Sequence, residues 1–170
     1  MKKLLKVALV AVLFLSVGNF AKAQAKIGYI NFDNLIGQMP EAKTVKSQLD
    51  IYSKQFTDEL SSMQTEFQTK AQEYQKGQAA MTDATRTAKQ AELQDIQKRI
   101  QDYQTSAQQK FDERSNELVK PLSDKARTAV ETVAKEKGYT YVINTASTQF
   151  IVAPPGDDLM DAVKLKMGIK

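Results

Sequence analysis

The residues of this sequence best suited to chemistry are two adjacent carboxylate pairs, Asp112-Glu113 and Asp157-Asp158. Such pairs serve as acid-base catalysts or bind Ca²⁺ in other proteins. Neither pair lies in a glycine-bearing loop of the EF-hand type, so a capping or surface role is the simpler interpretation. The sequence contains no His and no Cys, which excludes Ser-His-Asp and Cys-His catalysis, zinc sites built on these ligands, and disulfides.

Phosphate-binding sequences are also missing. The chain has neither a Walker-type nor a dinucleotide-type glycine-rich loop. The sequence therefore predicts a protein that is not an enzyme and that uses no cofactor, metal or nucleotide.

The N-terminus has the pattern of an export signal. Three lysines precede an apolar segment over residues 7–17, and Ala-Lys-Ala at residues 21–23 fits a cleavage site. Because the apolar segment is shorter than the roughly 20 residues that span a membrane, we predict a cleaved signal peptide over residues 1–23 rather than an anchor. Cleavage after Ala23 or after Ala25 fits the rule.

The charge balance changes with that cleavage. The whole chain carries 24 basic and 20 acidic residues, and the predicted signal peptide contains four lysines and no acid, which leaves 20 of each. A neutral chain has no basic excess to attract phosphates or anionic lipids. We therefore predict no nucleic-acid partner and no stable membrane insertion.

Three short segments have the composition of β-strands. The first is residues 27–32, and two others, residues 139–144 and 149–152, follow the helix-terminating Gly138. Beyond two prolines, Asp157 or Asp158 caps a short closing helix. We predict a β-rich body from residues 24–42 and 128–170.

A long helical hairpin separates these parts. From Val45 to Tyr74 the apolar residues recur at steps of four, three, four, four, three, four, four and three, an eleven-residue repeat typical of a nearly straight helix. A second stripe runs over residues 93–133. Gly77 and the capping residues that follow allow a reversal, so we predict an antiparallel hairpin over residues 43–127 with its tip near residues 77–83.

Pro121 interrupts the second helix. It lacks an N–H group, and its ring clashes with the carbonyl of Glu117, which predicts a kink or hinge. A permanent bend that fits the hairpin onto the strands and a hinge that lets the arm swing are both open.

The predicted fold class is α+β and mostly helical, with a small β body of about three strands per chain, shared in an oligomer, and a long antiparallel helical hairpin. Three short strands and one hairpin cannot bury their own apolar faces, which favours self-association. The predicted association residues are Ile27, Tyr29, Ile30, Phe32, Val142, Ile143, Phe150, Ile151 and Val152.

Three segments in this order resemble the Skp/OmpH family of periplasmic chaperones: residues 26–31, Met39-Pro40-Glu41, and the Ala-Lys-Glu-Lys-Gly-Tyr sequence at residues 134–139. The resemblance extends over the whole mature chain. It implies a homotrimer in which the strands form a central body and the hairpins project as tentacles around a cavity. It also implies that unfolded outer-membrane proteins are held there without ATP, in the periplasm of a Gram-negative bacterium.

A chaperone that binds many sequences weakly needs dispersed, adaptable apolar contacts, which Met and aromatic residues provide. The client-binding candidates are Met63, Phe67, Tyr74, Met81 and Tyr103. Phe67, Tyr74 and Tyr103 lie on the predicted seam, where packing between the helices is the alternative, whereas Met81 at the tip is expected to be exposed.

A competing hypothesis is an exported coiled-coil adaptor that binds one folded envelope partner. Such a partner calls for a patterned, exposed face. Outside the seam the sequence shows mainly Gln, Lys, Thr and Asp in no fixed repeat, which disfavours the adaptor.

Overall fold

The structure is a computed structural model that describes residues 25–169, so the predicted signal peptide lies outside the described residues. The elements in chain order are β1 (Ile27–Ile30), α1 (Phe32–Gln38), α2 (Pro40–Gly77), α3 (Asp83–Glu136), β2 (Tyr141–Asn144) and α4 (Met160–Met167).

Helices α2 and α3 form the antiparallel hairpin. Pro40 occupies the first turn of α2, where its missing N–H costs no hydrogen bond, and α2 ends at Gly77. A single 3₁₀ turn follows, and the Thr82 hydroxyl then caps α3 by accepting the N–H of Thr85 at 3.3 Å. The chain thus reverses over residues 78–82. At 1.5 Å per residue, the 38 residues of α2 extend about 57 Å.

Helix α3 continues through Pro121 without interruption. The proline ring lies on the exposed side, while the next residue, Leu122, is buried against the body. The kink or hinge at Pro121 stays a prediction.

The body is built on a parallel pair of strands. Ile27 of β1 lies opposite Tyr141 of β2, and Ile30 lies opposite Asn144. Parallel neighbours require a long crossover, which the whole hairpin supplies. On the other edge of β1, the backbone N–H of Leu159 donates to the carbonyl of Tyr29 at 3.0 Å.

Two predicted strands differ in the structure. The first ends at Ile30, and Phe32 begins α1 because the Asn31 side chain accepts the N–H of Asn34 at 2.9 Å and caps a helix. The predicted third strand, residues 149–152, is not a strand. Since β1 is paired along both edges already, this segment finds no place beside it, and Ile151 is fully exposed.

The core lies where α1 and α4 pack against the C-terminal half of α3. Its most buried side chains are Ile30, Leu35, Met39, Leu159 and Val163, and they meet Ala126 and Val133 of α3. The prediction that Ile30 is available for association was therefore wrong, since its side chain is buried in the chain's own core. The predicted class is confirmed: a mostly helical α+β chain with a small β body and a long hairpin, with two strands rather than three.

Candidate functional site

The hairpin is held together by an apolar seam. Met63, Ile96 and Ala107 are buried between α2 and α3. The ring of Phe56 packs edge-on against Tyr103 of the opposite helix, with centroids 6.2 Å apart. Because each helix has a single partner, the edges of most seam residues stay at the surface.

Near the tip the seam becomes polar. Lys70 of α2 pairs with Glu92 of α3, and Lys89 donates to the same carboxylate at 2.9 Å. The hydrogen bonds from Lys70 and Lys89 lower the pKa of Glu92 to about 2. The same contact raises the pKa of Lys70. One helical turn further on, Gln90 donates to the Tyr74 hydroxyl at 2.8 Å.

The structure places the client-binding candidates on this seam. Met63 is buried between the helices, and Phe67, Tyr74 and Tyr103 are half-buried. Met81 was expected to be exposed but is half-buried, because the tip turn brings its side chain back over Gly77. A Cβ added to Gly77 would lie 2.9 Å from the Met81 Cε. The absence of a side chain at Gly77 therefore provides the space that the Met81 side chain occupies.

A shallow groove of 380 Å³ opens along one side of the seam, midway along the hairpin. Its floor is apolar, formed by Phe56, Leu60 and Phe111 together with Ala107, and its rim is polar but uncharged. The rim residues are Ser53, Thr57, Gln104 and Gln108.

A second candidate surface lies on the outer side of the sheet. Side chains alternate along a strand, so Ile27 and Tyr29 point away from the core, as do Tyr141 and Ile143 opposite them. Ile27 is 49% exposed and Tyr141 is 61% exposed. We call this surface, together with residues 150–152, the outer sheet face.

The segment after β2 folds over the outer sheet face. The Phe150 ring lies 5.9 Å from the Tyr29 ring, whereas Ile151 and Val152 are 100% and 83% exposed. Eight of the nine predicted association residues thus remain at least partly exposed, and only Ile30 is buried. Of the eight, Phe32 and Val142 pack against the core rather than on the outer sheet face. Tyr141 also lies on the outer sheet face and was not among the predicted association residues, although its place next to Val142 in an alternating strand was a usable signal.

The carboxylate pairs have structural partners. Asp158 accepts the N–H of Met160, the first residue of α4, at 2.8 Å, and Asp157 accepts the Tyr139 hydroxyl at 3.1 Å. Burial raises the pKa of Tyr139, and the hydrogen bond to Asp157 raises it further. Asp112 accepts the amide of Gln108 at 2.8 Å. Within residues 25–169, no group of three or more acidic side chains is placed to hold a metal ion.

Among residues 25–169, no helix has both the length and the apolar character needed to cross a bilayer.

Comparison with known proteins gives a consistent result. Residues 26–167 match the family described as outer membrane protein (OmpH-like). The protein called chaperone protein Skp from Yersinia enterocolitica is 31% identical over 138 residues, which cover 79% of this chain and 81% of the relative. The protein of the same name from Photorhabdus laumondii is 29% identical, covering 90% and 92% of the two chains.

Solved structures show the same fold. A crystal structure of an OmpH-like protein from Caulobacter crescentus CB15 superposes with a TM-score of 0.67, covering 89% of this chain and 88% of that one, at 16% identity. Since the family match spans nearly all of the described residues, the chain belongs to the OmpH-like outer membrane protein family, whose curated relatives are chaperones.

Proposed function

We propose that this protein is an ATP-independent holdase chaperone of the periplasm of a Gram-negative bacterium. It binds unfolded outer-membrane proteins in a cavity between helical tentacles and prevents their aggregation. The residues that remain after cleavage of residues 1–23 form the working protein, which acts without catalysis.

The observation that carries the proposal is the outer sheet face. Its residues Ile151, Val152, Ile27 and Tyr141 are apolar or aromatic and range from 49% to 100% exposed, so one chain leaves this surface in water. Burial of such surface contributes roughly 25 cal/mol per Å², which favours association of several copies. We propose a homotrimer joined through residues 24–42 and 128–170, from which three hairpins project.

The hairpin supports the second part of the proposal. With about 57 Å of length and a seam of one helix against one helix, it extends far beyond the body and keeps apolar edges at its surface. Phe67, Tyr74, Met81 and Tyr103 are proposed client contacts through their exposed edges. Met63, which is buried in the seam, contributes only where the two helices separate.

The proposal is tested by measuring the native mass of the mature protein alone and after mixing with an outer-membrane barrel protein diluted from urea. A trimer that keeps the client soluble in a defined complex without ATP is the expected result. A monomer or dimer that leaves the client to aggregate would refute the holdase. Binding of one folded envelope protein, with no protection of several unrelated unfolded barrels, would favour the structural adaptor.

Export is tested separately. The protein recovered from the periplasmic fraction is expected to begin at Gln24 or Lys26, as read by mass spectrometry of its N-terminal peptide. A chain that retains Met1 and fractionates with the cytoplasm would contradict both the signal peptide and the location.

A further inference from the structure

The glutamines of α3 follow a repeat along one flank of the helix. They succeed one another at steps of four, three, four, three and four, which keeps them on one side. These residues are Gln90, Gln94, Gln97, Gln101, Gln104 and Gln108, and all six are exposed. The earlier expectation that the polar residues outside the seam follow no fixed repeat was therefore wrong for this flank.

Helix α2 carries a matching flank. Its uncharged polar residues recur at steps of four, seven, four and seven, the same eleven-residue period as the seam. They are Ser53, Thr57, Gln64, Gln68 and Gln75, and all are exposed.

The two flanks lie on the same side of the hairpin. The groove over Phe56 and Phe111 is lined by Ser53 and Thr57 from α2 and by Gln104 and Gln108 from α3. We call the surface formed by these two flanks and the groove between them the uncharged face. It extends for roughly 30 Å along the hairpin.

The opposite side of the seam is charged. Glu66 and Glu73 lie within one helical turn of Lys70, and their carboxylates act on its ammonium group. Lys70 is paired across the seam with Glu92, and Glu59 continues the row at seven-residue spacing. The hairpin therefore has two sides of different chemistry, although its overall charge is balanced.

The uncharged face matches the chemistry of an unfolded polypeptide. A glutamine amide offers both donors and an acceptor, so it can pair with the N–H and C=O groups that an unfolded backbone leaves free. Gln90 and Gln108 already donate to Tyr74 and Asp112, so the glutamines between them offer the most free groups. The apolar floor accepts side chains of the client, and the lack of charge avoids both repulsion and selection by charge. A folded partner would instead call for fixed, complementary groups.

We infer that the uncharged face is the surface of the hairpin that binds extended segments of unfolded polypeptide. The inference rests on the proposed holdase function and assigns the side of the hairpin on which it occurs. The charged side keeps the hairpin soluble and holds its tip in register.

Because the chain contains no Cys, single cysteines can carry a photo-crosslinker without background. Gln68→Cys and Gln101→Cys place it on the uncharged face. Gln55→Cys and Gln109→Cys are matched controls, since both glutamines are exposed and lie near Glu59 and Glu113, off that face. The probe is an outer-membrane barrel protein diluted from urea. We expect crosslinks to the client from the first pair at several times the yield of the second.

Charge placed on the same face gives an independent readout. Gln97→Glu combined with Gln104→Glu puts two carboxylates on the uncharged face, the second of them at the rim of the apolar floor. We expect the client Kd to rise about tenfold. Gln55→Glu combined with Gln109→Glu adds the same charge elsewhere and should leave the Kd within about twofold. Circular dichroism and native mass verify that both variants fold and associate like the parent.

The outcomes separate the two proposals. If the parent protein holds the client but the crosslinks come equally or mainly from residues 55 and 109, the assignment of the face is wrong and the holdase stands. If the parent protein forms no complex with any unfolded barrel, both fail. Crosslinks from the uncharged face to a second hairpin, unchanged by client, would identify the face as a contact between copies and overturn the inference.

Discussion

Lys70 of α2 and Glu92 of α3 form an ion pair across the seam near the tip, and Glu41 of α2 and Lys125 of α3 form an ion pair at the base of the hairpin. Between these two positions the seam is largely apolar. Each ion pair is formed only when its two residues lie opposite each other, so both pairs favour the observed register of α2 against α3. Their side chains are partly exposed, so the packing of the apolar seam contributes the larger part of that preference.

Glu92 makes the hairpin sensitive to acid. Its pKa is lowered from 4.5 to about 2 by the hydrogen bonds from Lys70 and Lys89, so the folded state prefers the ionised form. That stabilisation is present above pH 4.5 and is lost as the pH falls toward 2. We expect Glu92→Gln to lower the urea midpoint at neutral pH and to converge with the parent near pH 2.

The control for this measurement is Glu59→Gln, which removes an exposed carboxylate of α2. A difference in urea midpoint between Glu92→Gln and the parent that stays constant across the whole pH range would show that the loss of stability comes from packing rather than from the ion pair.

Leu35 is a test of the body core. Its side chain has no exposed surface, since it belongs to the cluster of buried side chains that α1 shares with α3 and α4. Replacing it with Ala removes buried methyl groups and leaves a cavity, and we expect a loss of about 3 kcal/mol in the free energy of unfolding. Ile51→Ala makes a similar deletion at a residue that is 61% exposed, and we expect it to cost less than about 0.5 kcal/mol. Both free energies are measured by chemical denaturation at a fixed protein concentration. Equal losses for Leu35→Ala and Ile51→Ala would contradict this account of the core.

Ile151 tests association through the outer sheet face. It is fully exposed in one chain, so Ile151→Lys should leave the chain's own fold intact while placing a charge in any interface that forms there. We expect sedimentation to show a concentration-dependent shift toward monomer, with an unchanged circular dichroism spectrum. Ile51→Lys on the hairpin is the matched control and should keep the parent mass. An unaltered mass for Ile151→Lys would exclude this face from the interface.

Tyr139 ties the C-terminal segment to the end of α3. Its hydroxyl donates to the Gly156 carbonyl and to Asp157, both at 3.1 Å, and its ring lies under the Lys26 ammonium group at 4.0 Å. Tyr139→Phe keeps the ring and removes the hydrogen bonds, and we expect a loss of about 1 kcal/mol near neutral pH.

The pH dependence of this variant has a defined sign. Burial and the bond to Asp157 raise the pKa of Tyr139 from 10.0, so its stabilisation is complete below pH 10.0 and is lost as the pH rises through the higher folded value. The free energies of unfolding of the parent and the Phe variant, plotted against pH, should therefore approach each other in strong alkali. A constant difference between them up to that range would show that the ionisation of the hydroxyl contributes nothing.

Much of the fold could be predicted from local patterns. The eleven-residue stripe from Val45 to Tyr74 predicts a long straight helix because the apolar period is a property of the helix itself. Gly138, with a φ of +72°, ends the helical region because glycine tolerates the left-handed conformation, and this signal is also local.

Whether a strand-like residue is buried depends on partners distant in the chain, whereas the helix at Phe32 depends on local contacts. Ile30 and Val152 have similar apolar side chains in strand-like sequences, yet Ile30 is buried in the core and Val152 lies in water. Phe32 begins a helix because Asn31 caps it, although the apolar residues at positions 32, 35, 36 and 39 already carried a helical period.

The sequence by itself therefore determined the two long helices, the closing helix, the place of the reversal and the family, since these follow from periodicity, capping and residue order. Only the tertiary structure decided that β1 and β2 pair in parallel, that Ile30 is core and that the uncharged flanks of α2 and α3 share one side of the hairpin. The reason is physical: a side chain's position on its own helix or strand is fixed by local geometry, whereas the surface that faces it is set by contacts between segments up to about 110 residues apart.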